Sequence, residues 1–456
     1  MSKCASPRLM STKSTAQHVG VFLDEWQATT VMVQERVGRG DSEFLKEIAL
    51  LEGMDRANCV SKLGNSHLDA AAEKLLLREG LAAKLSRQTA RKALIRGLSE
   101  HLPKALKTRR LSEHAIVEKA RDFLAAHPRD DGLYLFPVVF AHRAKETDFR
   151  VGAARIVARP ILEAELADAW VRHDARNDKW AQRLGDDWKT HAQSFDHFIT
   201  VEVVGHEERM AWPVARDAAE CLLNLIRMYF GYDAMDDVRI GDGYLWQETR
   251  SAMRLTSDGH ICLSTSLGGG RSHLEDGWTE PFDRHLGHFS RLLSDLVTWH
   301  TVQDGKPDAL FERLTYFNRL ISEAYAEPHH PIRLVRLVAA LEALTLVGDK
   351  DKAHNLAHRC GCTGGSGDPA AYCRIYDAVR EAYRWRNAVV HGDAPRDGEI
   401  MRAFRKLERD ILDIYLGLLS LHAGIANAAR PRSIEALRRE FGARVDMFFW
   451  SPSLAT

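Results

Sequence analysis

Between Tyr383 and Asp393 the chain reads YRWRNAVVHGD, which sets Arg386, Asn387 and His391 close together at the end of a long apolar segment. A guanidinium binds and neutralises anions, and an imidazole passes protons near neutral pH. Side by side they are the parts of anion binding and general acid–base chemistry. Leucines would serve better there if packing were the whole purpose.

The element that must position them is a helix. Asp368 suits an N-cap, Pro369 the first helical position and Gly392 the left-handed residue beyond the end, which predicts a helix of about 23 residues, roughly 34 Å long. At about 100° per residue, Tyr372, Tyr376, Val379, Tyr383 and Val390 form one apolar stripe. Arg386 falls inside it, Asn387 at its edge, and His391 one turn further on. An unpaired buried charge is too costly to keep, so Arg386 needs a carboxylate, a phosphate or a cleft.

The segment RLVRLVAALEALTLVG offers the carboxylate. Leu334, Val338, Leu341 and Thr345 make its stripe, with Glu342 at the edge. A Glu342–Arg386 bridge that sets helix register, with His391 favoured at a helix C-terminus by the dipole, explains the same residues without catalysis. Physical chemistry alone leaves both explanations open.

Tyr383, Arg386, Asn387, His391 and Gly392, following LVAALEAL by about 45 residues, resemble the Arg-x4-His signature of HEPN domains, specifically the Apea-like group, over roughly residues 305–430. The resemblance implies a helical bundle that pairs with a second copy about a two-fold axis, and a metal-independent endoribonuclease with no cofactor. RNA carries its own nucleophile, the 2′-hydroxyl. His391 would move the proton of that hydroxyl or of the 5′-oxygen leaving group, Arg386 would hold the scissile phosphate and Asn387 would orient it, with Tyr383 and Glu342 in support. The products would be 2′,3′-cyclic phosphate and 5′-hydroxyl ends. HEPN toxins paired with nucleotidyltransferases often carry a tyrosine where this chain has Asp393, so control at that position is not expected. By analogy the expectation extends to a cytoplasmic anti-phage, abortive-infection or toxin-type effector governed by a regulatory partner or a phage-derived trigger. The alternative is a non-catalytic RNA-binding or assembly module with a structural Arg386.

The rest of the chain bounds these expectations. Its 456 residues are enough for more than one core. With 63 basic and 63 acidic side chains, the whole-protein field draws in no polyanion, so RNA binding would need a local basic face. The opening MSKCASPRLMSTKST lacks the apolar core of a signal peptide, and ILDIYLGLLSLHAGIA is interrupted by Asp413 and His422; no membrane partner is expected. Seven cysteines, an odd number, read as free thiols.

Composition predicts an α+β N-terminal region followed by an all-α C-terminal bundle, mainly helical overall. The expected divisions are a flexible arm at 1–20, a helical subdomain at 21–128, an α+β sensor or specificity domain at 129–300, the bundle at 305–430 and a tail at 431–456. Three further clusters could carry chemistry. His354, His358, Cys360, Cys362 and Cys373 have some of the makings of a zinc site, but the spacing fits no standard finger, and a loop with ordinary buried thiols is expected. SLGGGRSH lacks the Gly-Lys-Ser/Thr ending of a phosphate loop and reads as a turn. Lys84, Arg87 and Arg91 fall on one predicted helical face, followed by KALKTRR; they are a weak RNA-binding candidate beside the plainer solvated charge run.

Overall fold

The computed structural model describes residues 14–37, 48–50, 59–108, 112–139, 147–175, 179–193, 195–235, 238–240, 248–255, 261–268, 277–302, 309–346, 351–393, 397–429 and 434–449. The chain divides into two compact units, one built chiefly on Met1–Asp131 with Val204–Trp212, the other on Gly132–Val203, Pro213–Val302 and Pro307–Thr456. An α+β N-terminal region leads into a helical C-terminal part, as composition predicts. Among the described residues no helix is long and apolar enough to cross a membrane.

The first unit packs α1 (Thr15–Val37), α2 (Lys62–Arg78), α3 (Arg87–Thr108) and α4 (Glu113–Ala126), with a short antiparallel ladder of β1 (Ile48–Leu50) and β2 (Cys59–Ser61). Leu68, Leu75, Leu94, Leu98, Ile116 and Ala120 meet in its core. The expected N-terminal arm is thus already helical from Thr15.

The second unit holds a five-stranded sheet formed by β3 (Asp130–Val139), β4 (Asp148–Val151), β5 (Ala154–Ala158), β6 (His197–His206) and β7 (Arg239–Ile240), in the order β4-β5-β6-β3-β7. The β4–β5 hairpin turns at Gly152, whose φ of +59° suits glycine. Helices α5 (Arg159–Asp174) and α6 (Lys179–Ala192) cover part of the sheet, burying Leu162, Phe195 and Phe198 with Val157. Next come α7 (Glu208–Phe230), α8 (Tyr232–Met235), the antiparallel pair β8 (Glu248–Leu255) and β9 (Ile261–Gly268), α9 (Thr279–Leu286) and α10 (Ser290–Val302).

The C-terminal bundle comprises α11 (Ala309–Ala326), α12 (His330–Thr345), α13 (Lys352–Gly365), α14 (Pro369–Val390), α15 (Asp397–Arg409), α16 (Ile411–Ala429) and α17 (Ile434–Phe449). Helix α17 lies in the stretch read as a tail and buries Leu437, Phe441 and Val445.

Helix α13 is the element the composition hides. Its HRCGCTGG segment reads as a loop, because glycine is a poor helix former. Here the glycines serve packing: a Cβ at Gly361 would sit 2.8 Å from the Tyr372 ring, and one at Gly364 2.9 Å from Ile375 and Ile414. Helix α13 is pressed between α14 and α16, and side chains would hold them apart.

Candidate functional site

Helix α14 forms as its termini predict. Asp368 accepts a 2.9 Å hydrogen bond from the Ala370 amide, Pro369 follows, and Gly392 at φ +88° lets the chain leave in the left-handed conformation. Its buried face is Ile375, Ala378, Val379, Ala382 and Tyr383. Of the expected stripe only Val379 and Tyr383 are buried: Tyr372 and Tyr376 are half-buried and Val390 is 52% exposed, the buried face being turned toward Ile375, Ala378 and Ala382.

Arg386 extends the buried face by one more turn but is only half-buried. Its Nη1 donates to Asn387 Oδ1 at 3.0 Å, and its Nη2 stands 3.7 Å from Glu342 Oε2 on α12. The guanidinium carbon lies 5.7 Å from the centre of the Tyr383 ring. Its Nε is buried and unbonded among the described residues. His391 is exposed at the helix end, its amide donating to the Asn387 carbonyl at 2.9 Å. The fold therefore gathers Glu342, Tyr383, Arg386 and Asn387 in one place, with His391 just beyond them on the same helix. The bridge is made, yet neither charged group is sealed: a cation with spare donors able to hold an anion and, five residues further along the same helix and about 140° round it, a solvent-facing imidazole able to exchange a proton.

The histidine and cysteine cluster resolves into pairs. His354 Nδ1 shares a 2.8 Å hydrogen bond with the Tyr376 hydroxyl, and His358 Nδ1 a 3.0 Å bond with that of Tyr372. Burial pushes the Tyr372 phenol above its ordinary range. Cys362 Sγ lies 3.7 Å from the His358 ring, Cys360 is fully buried, and Cys373 is exposed. Among the described residues no three His, Cys, Asp or Glu side chains are grouped to hold a metal ion. The Tyr372 and Tyr376 rings join α14 to α13 at these histidines.

Of the basic candidates, Lys84 lies in the turn before α3, not on the helical face expected for it. Arg91 bonds Asp69, with its Nη2 donating to Asn65 at 2.7 Å, and Arg87 stands 4.0 Å from Asp69. Two of the three cations are thus drawn toward α2. Most of the SLGGGRSH turn, and the last arginines of KALKTRR, lie outside the described residues.

Two polar features carried no sequence signal. Arg333, 1% exposed, stacks 3.6 Å over the Tyr232 ring and donates to the Glu327 carbonyl. His300, also 1% exposed, borders a cavity of about 300 Å³ with Asp217, Asn318 and Ser322, and neither ring nitrogen is bonded among the described residues. Its position on an ordinary amphipathic helix gives no hint of this.

No protein-family model matches the chain, and neither a curated protein nor a solved structure is significantly similar to it.

Proposed function

We propose that the C-terminal bundle is a HEPN-type, metal-independent endoribonuclease acting in the cytoplasm as an anti-phage, abortive-infection or toxin-type effector. The observation that carries this reading is the open state of Arg386: a guanidinium on a core-facing stripe, a quarter exposed, 3.7 Å from its carboxylate and with spare donors, on the same helix as an exposed His391. Arg386 would bind the scissile phosphate with Asn387 holding its fork. His391 would take the proton of the RNA 2′-hydroxyl as its oxygen bonds to phosphorus, or deliver a proton to the departing 5′-oxygen. The cyclic phosphate and the 5′-hydroxyl end account for all atoms. A second copy of the chain would supply the opposite half of the cleft.

A second reading has its own support. Arg386 already touches Asn387 and Glu342, the contacts expected of a residue that only fixes register in a non-cleaving RNA-binding or assembly module.

RNA cleavage with a chelator present separates the two. Wild-type protein should cut, and Arg386→Ala and His391→Ala should each lose roughly 100-fold or more while remaining folded. Equal activity in all three proteins overturns the catalytic assignment. Loss of wild-type activity to the chelator overturns metal independence. RNA binding without cleavage by the wild type favours the second reading.

A further inference from the structure

In the second unit, the α5–α6 hairpin does not close down fully on the sheet. It leaves a cavity of about 300 Å³, within the range of small-molecule sites. The walls are apolar and aromatic: Leu162, Leu166, Trp170, Trp188, Ala192 and Phe198, the last two rings with centroids 6.2 Å apart being those of Trp188 and Phe198. Two cations, Arg159 and Lys189, share the lining with one carboxylate, Glu163.

Arg159 is the informative one. Its nearest carboxylates, Glu163 and Asp196, are 3.9 and 3.8 Å away, too far for hydrogen bonds. Its Nε is buried with no partner among the described residues. A guanidinium at the edge of a cavity, held only by two long ion pairs and with a buried Nε unbonded, can accept a closer anion. Lys189 stands 4.6 Å over the Trp170 ring and 3.0 Å from Asp174, which holds its charge over the aromatic wall. Indole and phenyl walls suit a flat ring, which gains from stacking as well as burial. The volume accommodates one ring system with its charged group.

We propose that the cavity between the α5–α6 hairpin and the sheet binds a nucleoside phosphate, with the base among Trp170, Trp188 and Phe198 and the phosphate on Arg159, assisted by Lys189. The site shares no residue with the Arg386 region, and its test does not depend on nuclease activity.

Calorimetric titration of the full-length protein with AMP, GMP, CMP and UMP, each against its nucleoside, inorganic phosphate and laurate, decides the matter. At least one nucleotide should bind saturably at one site, about tenfold or more tighter than its nucleoside. Arg159→Gln should remove that advantage. Ala192→Leu, which fills the cavity with an apolar side chain, should abolish binding while circular dichroism shows the fold retained. Saturable binding by none of the four nucleotides, by laurate alone, or equally by wild type and both variants overturns the proposal.

Discussion

Glu342 Oε2 stands 3.7 Å from Arg386 Nη2 between α12 and α14, and the two side chains keep 25% and 26% of their surface exposed. A pair this long and this wet is screened by water and contributes little, on the order of 1 kcal/mol or less. Glu342→Gln should therefore move the urea midpoint only slightly. A loss of about 3 kcal/mol or more would mark a register-fixing bridge and favour the non-catalytic reading.

Arg333 is the opposite case. It is sealed in the bundle, with its Nε donating to the Glu327 carbonyl at 3.0 Å and its Nη2 to the Tyr232 hydroxyl at 2.6 Å. Arg333→Ala removes the cation from the Tyr232 face and strands a buried carbonyl, and should cost about 3 kcal/mol in chemical denaturation. A change under 1 kcal/mol would refute that role.

His300 and His422 are buried as neutral rings, and burial lowers each to about 4 from an ordinary value of 6.5. Above pH 6.5 both rings are neutral whether the chain is folded or not, and no stability is lost. As pH falls from 6.5 toward 4 the unfolded chain takes up the protons that the fold excludes, so stability declines by up to roughly 3 kcal/mol per histidine. His422→Gln, able to keep a donor near the Leu344 carbonyl that His422 Nε2 meets at 2.9 Å, should flatten that decline in melts between pH 7 and 4.5. An unchanged slope would exclude His422 as a contributor.

Gly417→Ala tests the closeness of α13 and α16. Inside an exposed helix the substitution usually gains up to about 1 kcal/mol, but here the added methyl would collide with the Thr363 carbonyl. The expected sign is therefore reversed, with a loss of about 1–3 kcal/mol in thermal or urea unfolding. Any gain in stability would mean that the two helices are free to separate.

Helix α14 was legible because its signals are local: an Asp-Pro start, a glycine beyond the end and a steady apolar period. Helix α13 was not, since its glycines disfavour helix locally and are justified only by Tyr372, Ile375 and Ile414 pressing against them. The Glu342–Arg386 contact was foreseeable, because each residue lies at or on the stripe of its own helix. Its looseness was not, since the distance between two helices depends on every side chain packed between them.

By itself, then, the sequence determined the mixed and helical halves of the chain, the bounds of α14, and the spacing of Arg386, Asn387 and His391 on it. All of these follow from periodicity and capping within one segment. Only the tertiary structure decided that Arg386 keeps spare donors, that His391 is exposed, that His354 and His358 pair with tyrosines, and that the α5–α6 hairpin leaves a cavity beside Arg159. Solvent access and pairing depend on residues far apart in the chain, which no local pattern encodes.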